Sequence, residues 1–125
     1  MKMFRMLAAA AFVAAVATPA LAKEEPISFS DDVKPILDLR CTMCHTPGQP
    51  GTEASGLDLS NYETTMKGTK HGPMIVAGDP VSSNLMRLID GKADKSLQMP
   101  HGKKKLSSCD RETIRKWIKQ GAQNN

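Results

Sequence analysis

Apolar residues recur at helical spacing in four stretches of the chain, each opened by short polar residues of the kind that cap helices. Ser30, followed by Asp31 and Asp32, opens the first, in which Val33, Ile36, Leu37, Cys41 and Cys44 return at steps of three and four on one face. Pro35 falls early in this stretch, where its missing N–H costs little. Ser60-Asn61-Tyr62-Glu63 reads as a capping box before a short helix through Met66, closed by Gly68. Ser82 or Ser83 opens a third helix that carries Leu85, Met86, Leu88 and Ile89 and stops at Gly91. Ser107-Ser108-Cys109-Asp110 caps the fourth, whose Ile114, Trp117 and Ile118 form one stripe before Gly121. No run alternates with period two for long enough to argue a strand. The expected fold class is all-α, about four helices separated by Gly- and Pro-rich loops, Thr46 to Gly56 being one of these.

A different pattern precedes Lys23. Lys2 and Arg5 supply positive charge, Leu7 to Ala17 is an unbroken apolar run, Pro19 interrupts it, and Ala20-Leu21-Ala22 has the small-x-small form cut by signal peptidase. The expected organisation is a cleavable signal peptide over 1–22 and one domain over 23–125, delivered to the periplasm. The apolar run is well short of the roughly 18 residues a membrane-spanning helix needs. No second such run follows, so no membrane span is expected after cleavage.

Loss of the leader changes the composition. It removes Lys2 and Arg5 and no acidic residue, lowering the formal net charge from +4 to about +2, which leaves nucleic-acid binding without support. All nine Gly and seven of the eight Pro stay in the remaining segment, which is poor in large apolar side chains. A domain of this kind needs a staple: disulfides, a metal or a cofactor. It is too short for two domains, a Rossmann fold or a barrel enzyme.

Three cysteines cannot pair completely, and two of them stand in Cys41-Thr42-Met43-Cys44, followed at once by His45. On a helical turn, residues three apart share a face, so both sulfurs can reach the two vinyl groups along one porphyrin edge. His45 then offers an imidazole nitrogen to the iron. The leading expectation is one haem c, covalently held by Cys41 and Cys44, with His45 as proximal ligand. Two other chemistries use the same letters. A thiol oxidoreductase would need a depressed thiol pKa, a strand before the motif and a helix after it. A zinc site would draw on Cys41, Cys44, Cys109 and a histidine, at a spacing that matches no common zinc pattern. Cys109 is expected as a buried or half-buried thiol, with an intermolecular disulfide as the alternative.

The sixth iron position separates electron transfer from gas or peroxide chemistry. Met43 lies inside the motif and cannot turn back, while Met66 and Met86 fall on helix faces where core packing is the default. Met99 precedes Pro100, which biases it to extended geometry, and lies 54 positions after His45, enough chain to wrap a ring and return. Met99 is the first candidate; Met74, His71 and His101 compete with it, and an open site would make a haem sensor or small peroxidase. Lys103, Lys104 and Lys105 follow, with Lys67, Lys70 and Lys92 expected near the same side. A basic rim beside a haem edge would steer acidic redox partners.

The strings SFSDDVKPILDLRCTMCH over 28–45, GLDLSNYETTMKG over 56–68, IVAGDPVSSNLMRLI over 75–89, QMP over 98–100 and LSSCDRETIRKWIKQGA over 106–122 resemble the small c-type cytochromes labelled planctomycete-type cytochrome c domains. The resemblance covers nearly all of 23–125. It implies a monohaem, class I-like electron-transfer domain wrapped round its haem, with no substrate turned over. By that resemblance Cys41 and Cys44 carry haem c, His45 is proximal, Met99 is distal, and the last helix, with Trp117, packs across the first. Cys109 has no role in the pattern. The expected function is that of a periplasmic, monomeric one-electron carrier working between redox partner proteins.

Overall fold

Ser28 opens the helical part of the chain: its Oγ accepts the Asp31 amide at 3.1 Å, while its own amide donates to the Asp32 carboxylate at 2.8 Å. This reciprocal cap lies two residues before the expected Ser30, because Ser28 and Ser30 offer the same chemistry and only the former precedes a residue that can be buried, Phe29. The computed structural model describes residues 22–125, so the expected signal peptide falls, but for Ala22, outside the described residues. A π-helical turn, Phe29–Val33, runs into α1, Lys34–Arg40, with Pro35 in the first turn of α1. Then come α2 (Pro50–Ser55), α3 (Tyr62–Lys67), α4 (Asn84–Ile89), a 3-10 turn (Lys95–Leu97) and α5 (Ser108–Lys119). The described residues contain no strand and no helix long and apolar enough to cross a membrane.

Among the described residues, five α-helices stand where about four were expected. The addition is α2, inside the stretch Thr46 to Gly56 that reads as a loop. Pro50 sits at its N-terminal end, where a fixed φ suits the first helical turn, and Gly56 ends it in the left-handed region at φ 77°. The same residues that punctuate loops therefore frame a helix here. The cap of α3 is Asn61 and not Ser60, its side chain accepting the Thr64 amide at 2.9 Å. Ser83 precedes α4 but does not cap it. It is fully buried, accepting the Val76 amide at 2.9 Å and donating to the Asp79 carbonyl at 2.8 Å, which fastens the preceding loop. Ser107 caps α5 as expected, accepting the Asp110 amide at 3.0 Å.

The core forms where α5 crosses the start of the first helical segment. Ile114, Trp117 and Ile118 are buried against Phe29, Val33 and Leu37. The Trp117 ring lies 5.4 Å from Phe29 and 6.4 Å from Tyr62, and Phe29 meets Tyr62 edge-on at 5.2 Å. The polar tips of these rings are satisfied by the C-terminal backbone: Trp117 Nε1 donates to Gln123 O at 2.9 Å and Tyr62 Oη to Ala122 O at 2.8 Å. α4 joins the core through Leu85, Met86 and Ile89. Its end is fixed to α5 by Asp90, which takes hydrogen bonds from Arg111 at 3.1 Å and Arg115 at 2.7 Å. Burial pushes the Asp90 carboxyl up, but the Arg115 and Arg111 hydrogen bonds outweigh it and hold the group below its ordinary value.

Candidate functional site

Beyond α1 the chain turns sharply, and the turn builds a site. Cys41 takes φ −127°, and the amides of Cys44 and His45 both donate to the Cys41 carbonyl at 3.0 Å. The two cysteines thus share one side of a tight turn. Cys41 keeps the face of the first helix and Cys44 leaves it. Val33 and Leu37 enter the core, Ile36 and Cys41 pack on it, and Cys41 and the exposed Cys44 both line a cavity of about 480 Å³. Its other walls come from α2 (Gly51, Ala54), α4 (Leu85, Ile89), Leu59, and the segment after the 3-10 turn (Met99, His101). That volume suits a sizeable organic ligand.

His45 is buried at this cavity, and the structure fixes its tautomer. Its Nδ1–H donates to the Leu57 carbonyl at 3.3 Å; a carbonyl can only accept, so Nε2 keeps its lone pair. Burial lowers the pKa of His45 below its ordinary value, outweighing the Leu57 bond that raises it. The ring is therefore neutral at neutral pH, the form that ligates a metal. α2 holds it in place. Thr52 donates its amide to Cys44 O at 3.1 Å and its hydroxyl to Leu57 O at 2.8 Å, the same carbonyl that receives His45. Gly51 leaves room for the ring: a Cβ there would lie 2.6 Å from Cys44 O and 2.9 Å from His45 Cε1. The sequence reading missed both residues. Pro50-Gly51 carried a turn signal, and no sequence signal marks the close approach.

The other motif readings lose their basis. Burial pushes the Cys41 thiol up to about 11, with Arg40 lowering it and Cys44 raising it, opposite to what thiol exchange requires. No three His, Cys, Asp or Glu side chains come together among the described residues as a metal cage would need. Cys109 is exposed on α5, not buried or half-buried as expected. At about 100° per residue it sits opposite Ile118, off the buried stripe.

Of the four distal candidates, Met99 and His101 line the cavity, while Met74 packs against the core and neither it nor His71 reaches the cavity wall. The lysine run does not form one face. Lys103 lines the cavity mouth, with Nζ 3.4 Å from Met43 Sδ, whereas Lys105 Nζ turns to the Asp90 carbonyl at 2.7 Å. Lys92 lines a separate hollow with Arg87 and Arg115, and Lys67 and Lys70 are not on the cavity wall.

Residues 41–101 match the family model described as Planctomycete cytochrome C. The match supports a small c-type cytochrome domain over these residues. The match starts on the first motif cysteine and ends on His101, so it takes in Cys41, Cys44, His45 and Met99. No curated protein and no solved structure matches the chain. A c-type cytochrome domain implies covalently bound haem c and redox partner proteins. The cavity fits that group by its donor set: two thiols three residues apart, a neutral imidazole with Nε2 free, and a thioether from a distant segment, set among apolar walls. In this cytochrome domain Gly51→Ala is expected to push His45 from its seat. The ferric holoprotein should then show a high-spin fraction absent from the wild type. An unchanged spectrum and reduction potential would contradict the positioning role of Gly51.

Proposed function

We propose that the protein is a periplasmic monohaem cytochrome c, exported by a signal peptide over 1–22, that carries single electrons between redox partners. In this reading Cys41 and Cys44 hold haem c, His45 is the proximal ligand and Met99 the distal one. The observation that carries the reading is the convergence of the CTMCH turn and Met99 on one cavity. A bound haem supplies the Fe(II)/Fe(III) couple. His45 presents Nε2 because Leu57 O holds the proton on Nδ1. Met99 contributes a soft thioether that favours ferrous iron and so raises the potential above that of a second imidazole. Leu59, Leu85 and Ile89 line the cavity with apolar surface, which excludes water and disfavours the extra charge of ferric iron.

The cavity mouth supports a docking role. Leu39 and Met43 line it and are 78% and 66% exposed, and Lys103 stands beside them. Exposed apolar side chains next to a cation suit the weak, quickly released contacts of redox pairs. The electron-transfer rate to an acidic partner is expected to fall as ionic strength rises, and Lys103→Gln should flatten that slope. A wild-type rate independent of salt removes the docking assignment.

The reading is tested on purified holoprotein. A pyridine haemochrome assay should count one haem held by two thioethers, and the reduced protein should leave carbon monoxide unbound. Carbon monoxide binding would favour the alternative, a sensor or small peroxidase with an open distal site.

A further inference from the structure

The segment that carries Met99 has little structure of its own. Between Leu97, where the 3-10 turn ends, and the buried Leu106, it forms no helix or strand. The Met99 amide reaches Leu88 O at 3.4 Å, and the Lys103 amide reaches only Pro100 O, within the segment, at 3.3 Å. Two short bonds fasten it to the rest of the chain. One, from Lys105 Nζ to Asp90 O at 2.7 Å, sits at its far end. The other, from Arg40 Nη2 to Lys104 O at 2.6 Å, joins it to the end of α1.

Arg40 is the last residue of α1, stands directly before Cys41, and lines the cavity together with Met99 and Lys103. Its bond therefore links the segment that bears the attachment cysteines to the segment that bears Met99. A guanidinium donor gives a charge-assisted bond, and its planar fork loses less freedom than an ammonium would. The contact of Lys103 Nζ with Met43 Sδ runs between the same two segments, but a thioether is a weak acceptor.

We propose that Arg40 is a positioning residue that clasps the Met99 segment to the haem-attachment turn, so that retention of the distal sulfur depends on a hydrogen bond from the neighbour of Cys41. The inference rests on the haem-carrier reading. When the clasp opens, the Met99 segment moves away and the sixth position admits an external ligand.

The test compares wild-type holoprotein with Arg40→Met, Arg40→Gln, Arg40→Lys and, on the exposed side of α5, Lys119→Gln. Imidazole should bind the ferric Arg40→Met protein about threefold or more faster than the wild type, the loss expected for a charge-assisted bond at the surface. Arg40→Gln should lie between the two, Arg40→Lys should regain part of the protection, and Lys119→Gln should behave as wild type. Amide hydrogen exchange at Met99 and Lys103 should accelerate in Arg40→Met and Arg40→Gln while Ile114 and Trp117 in α5 are unchanged. Wild-type imidazole binding and exchange in both variants overturn the proposal. If Arg40→Met does not accumulate as holoprotein, Arg40→Gln decides by the same two readouts. Should Met99 prove not to be the ligand, the exchange data still report whether Arg40 holds the segment, so the two failures are distinguishable.

Discussion

Replacing Cys41 and Cys44 together by Ser is expected to yield a chain with no covalently bound haem and no stable fold. The two hydroxyls cannot form thioethers, so the cofactor would be held by His45 and packing alone. The structural consequence is as large as the chemical one. The cavity of about 480 Å³ is walled by apolar groups from α2, α4 and the Met99 segment, and without its occupant these walls face water. Leaving apolar walls of this extent in water forfeits burial worth about 25 cal/mol per Å², a loss of several kcal/mol against the roughly 5–15 kcal/mol stability of a small domain. Far-ultraviolet circular dichroism and a haem assay on the exported double variant check both parts. A folded double variant with a full complement of haem would contradict the account of the cavity. Either single substitution leaves one thioether and should give an intermediate haem content.

The second large effect belongs to Met99. If Met99 is the distal ligand as proposed, Met99→Ala removes it, so the weak far-red band of methionine-ligated ferric haem should vanish and the reduced protein should bind carbon monoxide. The potential should fall on the order of 0.1 V or more, a fraction of the roughly 0.8 V over which axial ligands set haem potentials. His101 lines the same cavity, which makes it the one histidine among the distal candidates that could take the vacated position. The paired variant Met99→Ala with His101→Ala separates the cases. If the single variant stays six-coordinate and the pair opens, His101 has moved in. His101→Ala alone should leave the band intact; a wild type that lacks the band and binds carbon monoxide only after His101→Ala would transfer the ligand role from Met99 to His101.

What the sequence made legible follows from where the physics is local. The Ser107 cap and the stripe Ile114, Trp117, Ile118 are properties of neighbouring residues, and α5 forms as they dictate. The caps of the first helical segment and α3 slipped by two residues and one, because Ser28 and Ser30, or Ser60 and Asn61, are near-equivalent acceptors and tertiary burial selects between them. α2 was hidden because Pro and Gly frame a helix as well as break one. The CTMCH motif stood out as a candidate because the porphyrin edge demands that spacing, and Met99 because a proline follows it; the structure brings both to one cavity wall. Gly51 and Arg40 were not. Gly51 matters through an approach to His45 in space, and Arg40 acts on a backbone carbonyl that every residue possesses, so neither leaves a side-chain signature. The lysine run looked like a single face, yet the chain turns and bends over 101–103, and Lys103 and Lys105 reach different partners.

The most direct measurement is the mass of the proteolytic peptide that contains Cys41, Cys44 and His45, taken from protein matured in the periplasm. The account predicts that this peptide carries one haem, joined through both sulfur atoms. Recovery of the same peptide with two unmodified thiols would contradict it.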